Sequence, residues 1–194
     1  LPAIPNVIET FDISNISGTL AVASLVCSVH GIPDKKRYRH FRIKTVEGPD
    51  DPGMMAETIR RRYGRLLAEN APMPDLVLVD GGITQVRAAR AELDALGLPH
   101  LRVAGLAKRF EELIPDDHDT TPVHLPADSP ALRVVQQIRD EAHRFAIAYH
   151  RHLRAKRIRE SEIDDIPGIG EKRKQALLLH FGSVARLKRA ALND

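Results

Sequence analysis

Residues 74–82 read PDLVLVDGG, and the four apolar residues between Asp75 and Asp80 leave no polar alternation for a solvated sheet face. A strand that is apolar on both sides is buried on both sides, so the chain must supply covering layers above and below it. Its neighbours in sequence can do this. Residues 54–69 (MMAETIRRRYGRLLAE) space their apolar side chains three and four apart, and residues 83–97 (ITQVRAARAELDALG) form a helix pattern that Gly97 stops. Residues 101–109, LRVAGLAKR, then supply a second buried strand.

Three earlier segments have strand character: residues 7–13, 19–31 and 37–46, in the last of which Tyr38, His40, Arg42 and Lys44 share one face. The intervening SNISGT and GIPDKK have turn composition, which predicts a three-stranded antiparallel meander. A meander followed by helix–strand–helix–strand predicts an α/β chain with a mixed sheet and helices packed against it. Residues 111–126, EELIPDDHDTTPVHLP, predict a loop-rich hairpin. From Ser129, which with Asp128 can cap, a helical pattern runs to about residue 159, or about 45 Å at 1.5 Å per residue. ESEIDD is expected to break it before a last small unit, IPGIGEKRKQALLLHFGSVARLKRA.

A chain of 194 residues has room for one domain and a small appendage. It opens on Leu1 rather than Met, which reads as a piece of a longer protein. The single cysteine, Cys27, forms no internal disulfide and suits a reducing compartment, the cytoplasm. No run approaches the roughly 20 apolar residues of a membrane helix, so no membrane partner is expected. Residues 1–132 carry 15 Lys/Arg against 18 Asp/Glu, whereas residues 133–194 carry 14 against 8. That asymmetry fits either a polyanionic partner or an Arg-rich solvated helix face.

Charge inside the apolar segments points to chemistry. Asp12 interrupts VIETFDISN, and a carboxylate is costly in a strand without a partner. Asp80 ends the LVLV strand, and ligands collect at strand ends in α/β sheets. Two carboxylates brought together repel unless a cation sits between them, and hard divalent ions prefer oxygen, so Mg²⁺ or Mn²⁺ is the inferred occupant. Asp50 and Asp51 lie among Gly and Pro, where turn or capping roles are equally served. His143 stands one position from the stripe Ile138, Ala142, Phe145 and Ala146, a site open to a core role or a ligand role. Lys108 ends an apolar strand and could neutralise a phosphate or be a surface lysine. Arg60, Arg61 and Arg62 cannot share one helix face; at least one is expected to face DNA, with Arg61 the candidate. In IPGIGEKRK, Gly168 and Gly170 permit a tight turn that aims amides at a phosphate, and Lys172, Arg173 and Lys174 add charge.

FDISN.SGT, EGPDDPGMM, RRRYGR, PDLVLVDGG..Q, LAK, LPADSPALRVVQQIRDEAHRFAI..HR and IPGIGEKRKQALLLHFGS together resemble the UvrC family, the incising component of the bacterial UvrABC nucleotide-excision nuclease. The resemblance covers essentially the whole chain. It implies an RNase H-like endonuclease domain, related to endonuclease V, over residues 1–159, and the start of a helix–hairpin–helix DNA-binding module over residues 160–194. The family's Asp–Asp–His constellation falls on Asp12, Asp80 and His143, and a further family carboxylate falls on Asp51. It implies Mg²⁺- or Mn²⁺-dependent incision of damaged double-stranded DNA on the 5′ side of a lesion, with UvrB as partner. His143 would orient or deprotonate the attacking water, with Mn²⁺ ligation as the lesser role. The competing readings are an inactive scaffold that positions DNA or UvrB, and another RNase H-like nuclease.

Overall fold

The computed structural model describes residues 4–16, 20–107, 112–116, 121–164, 166, 168–182 and 184–190. The chain forms two compact units, Leu1–Ala146 and Ile147–Asp194. In chain order the elements are β1 (Val7–Ile16), β2 (Leu20–Val29), β3 (Ile32–Pro33), a 3₁₀ turn (Lys35–Arg37), β4 (Arg39–Arg42), α1 (Asp51–Ala68), β5 (Leu76–Val79), α2 (Ile83–Ala95), β6 (Arg102–Ala107), β7 (Glu112–Pro115), α3 (Pro130–Asp164), α4 (Glu171–Phe181) and α5 (Val184–Leu187).

The first unit holds one seven-stranded sheet in the order β3-β2-β1-β5-β6-β7, with β4 also paired to β2. The β1–β5 and β5–β6 pairs are parallel; β1–β2, β2–β4 and β6–β7 are antiparallel. The mixed sheet expected from the sequence is therefore present, and all four residues of β5 are buried. Side chains alternate between two layers. On one face Phe11, Leu25, Val77 and Val79 pack with Ile59 and Tyr63 of α1 and with Val86 and Leu93 of α2. On the other, Ile8, Val26, Leu76 and Leu78 pack with Val135, Ile138 and Ala142 of α3.

Three element boundaries depart from the sequence expectation. The strand expected to reach residue 46 ends at Arg42, because the amides of Lys44 and Thr45 turn to the Glu57 carboxylate instead of a neighbouring strand. Helix α1 begins at Asp51, three residues earlier than its apolar spacing indicates, because Asp50 caps it by accepting from the Gly53 amide at 3.0 Å. Helix α3 continues through ESEID to Asp164. Those residues carry no Gly or Pro, so nothing in them interrupts the helix. Its start is capped as expected, with Leu132 N–H donating to Ser129 Oγ at 3.1 Å.

In the second unit the chain reverses at Gly168 (φ +86°), where the Ile169 amide donates to the Ile166 carbonyl at 3.1 Å. Arg173 Nη1 donates back to the Gly168 carbonyl at 2.6 Å. Gly170 opens α4 and Gly182 closes it in the left-handed conformation.

Candidate functional site

The parallel ladder between β1 and β5 runs Ile8↔Leu76, Glu9↔Val77, Thr10↔Leu78 and Phe11↔Val79. One step further it brings Asp12 beside Asp80, whose amide donates to the Phe11 carbonyl at 2.8 Å. Ile8, Leu76 and Leu78 sit in the layer under α3, so by the period of two both carboxylates leave the sheet on that face. The apolar residues thus fix the register, and the register fixes the acids.

Asp12 is only 3% exposed, while Asp80 is half-buried. After Asp80 the chain turns through Gly81 and Gly82 into α2, and β6 runs hard against this turn. A Cβ at Gly105 would lie 2.6 Å from the Gly81 carbonyl oxygen and 2.6 Å from Val86 Cγ2, so only glycine lets the turn sit this close.

The third member descends from α3. Ile138, Ala142 and Ala146 are buried, which rotates His143 to the edge of the packed stripe. Its Nδ1 stands 3.7 Å from Asp12 Oδ2, and its side chain remains 58% exposed. One ligand atom from each of Asp12, Asp80 and His143 falls within 4.8 Å of the others. The donor set is two hard carboxylates, one nearly removed from water, with a borderline imidazole nitrogen. Such a set suits a divalent cation.

Neighbouring groups fix these side chains. Ser14 Oγ–H donates to Asp12 Oδ2 at 3.4 Å. Asp12 pairs with Ser24 across β1–β2, and Ser24 with His40 across β2–β4; Ser24 Oγ and His40 Nδ1 lie 3.2 Å apart. The His40 ring stacks on Phe145 of α3 with centroids 3.9 Å apart, and Tyr38 meets the same ring edge-on. Tyr38 Oη donates to Glu141 Oε1 at 3.0 Å. Burial first, and then that carboxylate, pushes the Tyr38 phenol well up, while the Arg144 guanidinium holds Glu141 below the usual range. Together these contacts dock α3 on the β2–β4 edge and set the height of His143.

The other expected site residues are distributed differently. Asp51 is the first residue of α1 and is not one of the three clustered groups. Lys108 lies outside the described residues. Arg61 bonds to Glu57 Oε1 at 2.8 Å and to the Arg42 carbonyl at 2.7 Å, and it lies over the Phe41 ring. Arg62 pairs with buried Glu9, and Arg60 stands 3.8 Å from Glu92. Lys172 and Arg173 are exposed in the first turn of α4, and Lys174 is half-buried. Cys27 is buried, and burial first, then Glu9, pushes its thiol up to about 11, which makes it a packing residue.

Sequence reading missed Glu57 and the Ser24–His40 row. Glu57 accepts from the amides of Lys44 and Thr45, from Thr45 Oγ1 and from Arg61. Burial alone would raise its carboxyl, but these donors hold it down to about 2. The available signal was a glutamate among the apolar positions of α1.

Comparison with known proteins gives the family. UvrABC system protein C of Methanococcoides burtonii is 50% identical over 195 residues, and that of Chlorobaculum tepidum is 51% identical over 195 residues. Each alignment covers 100% of this chain but only 32% and 31% of the relative, so the chain spans about a third of their length. The solved structure of human ENDOV aligns over 78% of this chain and 85% of its own, at 17% identity and a TM-score of 0.39, too loose a fit to support more. The profile of the UvrC RNAse H endonuclease domain matches residues 1–147. The mixed sheet with its flanking helices is accordingly an RNase H-like fold, and the chain belongs to the UvrC RNase H endonuclease domain family.

Proposed function

We propose that this chain is a divalent-metal-dependent endodeoxyribonuclease unit that hydrolyses a phosphodiester on the 5′ side of a lesion in nucleotide excision repair, with UvrB as partner. The observation that carries the reading is the convergence of Asp12, Asp80 and His143 within 4.8 Å on one sheet face. Relatives named UvrABC system protein C support the repair context.

Asp12 and Asp80 would hold the cation, Mg²⁺ or Mn²⁺, through carboxylate oxygens fixed by the β1–β5 ladder. When bound, the ion supplies Lewis-acid stabilisation of phosphate oxygens and makes water more acidic. His143 is exposed enough to meet substrate, and its Nδ1 faces Asp12. The imidazole there orients the attacking water and takes its proton, leaving Asp12 to stabilise the imidazolium. Asp51, at the first turn of α1, serves in this reading as an auxiliary carboxylate.

The nuclease part extends over residues 1–159, and residues 160–194 act as a helix–hairpin–helix DNA contact. There Gly168 and Gly170 shape the turn, Lys172 and Lys174 supply charge, and Arg173 closes the hairpin through the Gly168 carbonyl. Lys108 and Arg61 complete the proposed DNA-contacting set, Arg61 with the part of its side chain that remains exposed.

The test is nicking of a lesion-containing duplex by the 194-residue chain with UvrB and Mg²⁺ or Mn²⁺. Asp12→Asn and Asp80→Asn each abolish nicking while duplex affinity stays within about twofold. Nicking that survives both substitutions overturns the assignment.

A further inference from the structure

We infer that Arg42 of β4 is a phosphate-binding residue, gripping the backbone of the DNA strand within about three nucleotides of the cut, on the same sheet face as Asp12 and Asp80. This rests on the reading of the chain as a DNA-cutting unit and adds a binding residue to it.

The placement follows from register. Asp12, Ser24 and His40 form one row across β1, β2 and β4; Ser14, Val22 and Arg42 form the next. Residues two apart on a strand share a face, and the stack of His40 on Phe145 identifies it as the face under α3. Arg42 therefore emerges on the side of the two carboxylates, about 7 Å along and about 10 Å across the sheet, on the order of 12 Å from Asp12 between backbones. Axial rise is about 3.4 Å per nucleotide on a strand, which puts the contacted phosphate close to the reacting one.

The chemistry follows from which cations nearby are already engaged. Arg39 Nη1 bonds to the carbonyls of Lys36 and Tyr38. Arg61 is held by Glu57, and Arg62 by Glu9. The Arg42 side chain is exposed and, among the described residues, takes part in no hydrogen bond or ion pair. Its backbone is nevertheless fixed, because Arg61 Nη1 donates to the Arg42 carbonyl at 2.7 Å. The fold thus uses a buried acid and a second arginine to hold rigid the strand that presents one uncommitted guanidinium. A forked, planar cation matches two phosphate oxygens. Two carboxylates on the same face repel a polyanion, and a nearby cation offsets that repulsion where the strand must pass.

Binding of the 194-residue chain to a fluorescein-labelled duplex in EDTA, by anisotropy from 50 to 200 mM NaCl, tests this without any cleavage. Arg42→Gln is expected to raise Kd about fivefold at 100 mM salt and to reduce the salt slope by about 0.9, the share of one phosphate contact. Arg42→Lys should restore the slope, and both variants should melt with the wild type. A parallel scan places single neutral methylphosphonates along the strand; one position should weaken the wild type and leave Arg42→Gln unaffected. An unchanged Kd and slope in Arg42→Gln, or additive losses at every methylphosphonate position, leaves Arg42 as edge-strand protection only and overturns the proposal. A wild-type chain that does not bind duplex at 50 mM salt overturns it as well. Failure of the metal-site reading would instead appear as nicking that persists in Asp12→Asn and Asp80→Asn, a result this binding experiment does not depend on.

Discussion

The carboxylates of Asp12 and Asp80 end neighbouring parallel strands one step past the Phe11–Val79 pair, on the sheet face that α3 covers. Their closeness is produced by a ladder of apolar residues, and it sets two acidic side chains side by side.

Metal binding and repulsion should therefore separate in a melting experiment. In the wild type, millimolar Mn²⁺ raises Tm by several degrees, because an ion that binds only the folded state stabilises it. Asp12→Asn and Asp80→Asn lose that rise. In EDTA each variant melts at or above the wild type, by up to about 1 kcal/mol or roughly 3 °C, since one of the two repelling charges is gone. A Mn²⁺ shift that persists in both variants would place the ion elsewhere.

His143 faces Asp12 at 3.7 Å from the exposed side of α3. The proposed proton-carrier role leaves the ion to Asp12 and Asp80, so under it His143→Gln keeps most of the Mn²⁺-induced rise in Tm while nicking falls by about 10² to 10³. Loss of the rise together with nicking would make the imidazole a ligand instead.

Glu57 gives a pH signature. Its carboxyl ordinarily titrates near 4.5 and is held at about 2 in the fold, so its stabilisation is complete above pH 4.5 and fades as the pH falls toward 2. Urea unfolding of Glu57→Gln should show a loss of about 2 kcal/mol at pH 7 that shrinks toward zero near pH 2. A gap that is independent of pH would refute the charge-based account.

Glu9 lies on the opposite face of β1 from Asp12, where it meets Arg62 and accepts from Tyr63 Oη at 3.0 Å. Arg62→Met leaves a carboxylate buried without its cation and should cost about 3 kcal/mol. Adding Glu9→Gln to that variant should recover about 1 kcal/mol, measured by chemical denaturation as a double-mutant cycle. Simple additivity would show that the pair is not coupled.

Much of the frame was legible because apolar spacing carries it. The wholly apolar β5, the stripe of α3 and the alternation of the first strands each state their period in the sequence, and Asp12 is conspicuous for breaking one. Where polar groups decide, the sequence says less. Strand β4 stops at Arg42 because Glu57, fifteen residues away, captures the next amides, a contact between elements that no local pattern announces. Arg61 and Arg62 look alike in RRRYGR, yet one braces β4 and the other neutralises Glu9. The nearness of Asp12 to Asp80 could be conjectured from strand ends, but its cause is strand order: β5 lies directly beside β1, although β2, β3 and β4 intervene along the chain.

The bare α-carbon of Gly105 extends this logic to a third strand. It neither ionises nor meets solvent, yet it decides how near β6 comes to the peptide just after Asp80. A single methyl group there would wedge the acid's anchorage outward from a distance. The tolerances of the candidate site are therefore written partly in a residue with no chemistry of its own, and a search for functional positions confined to reactive side chains would pass it by.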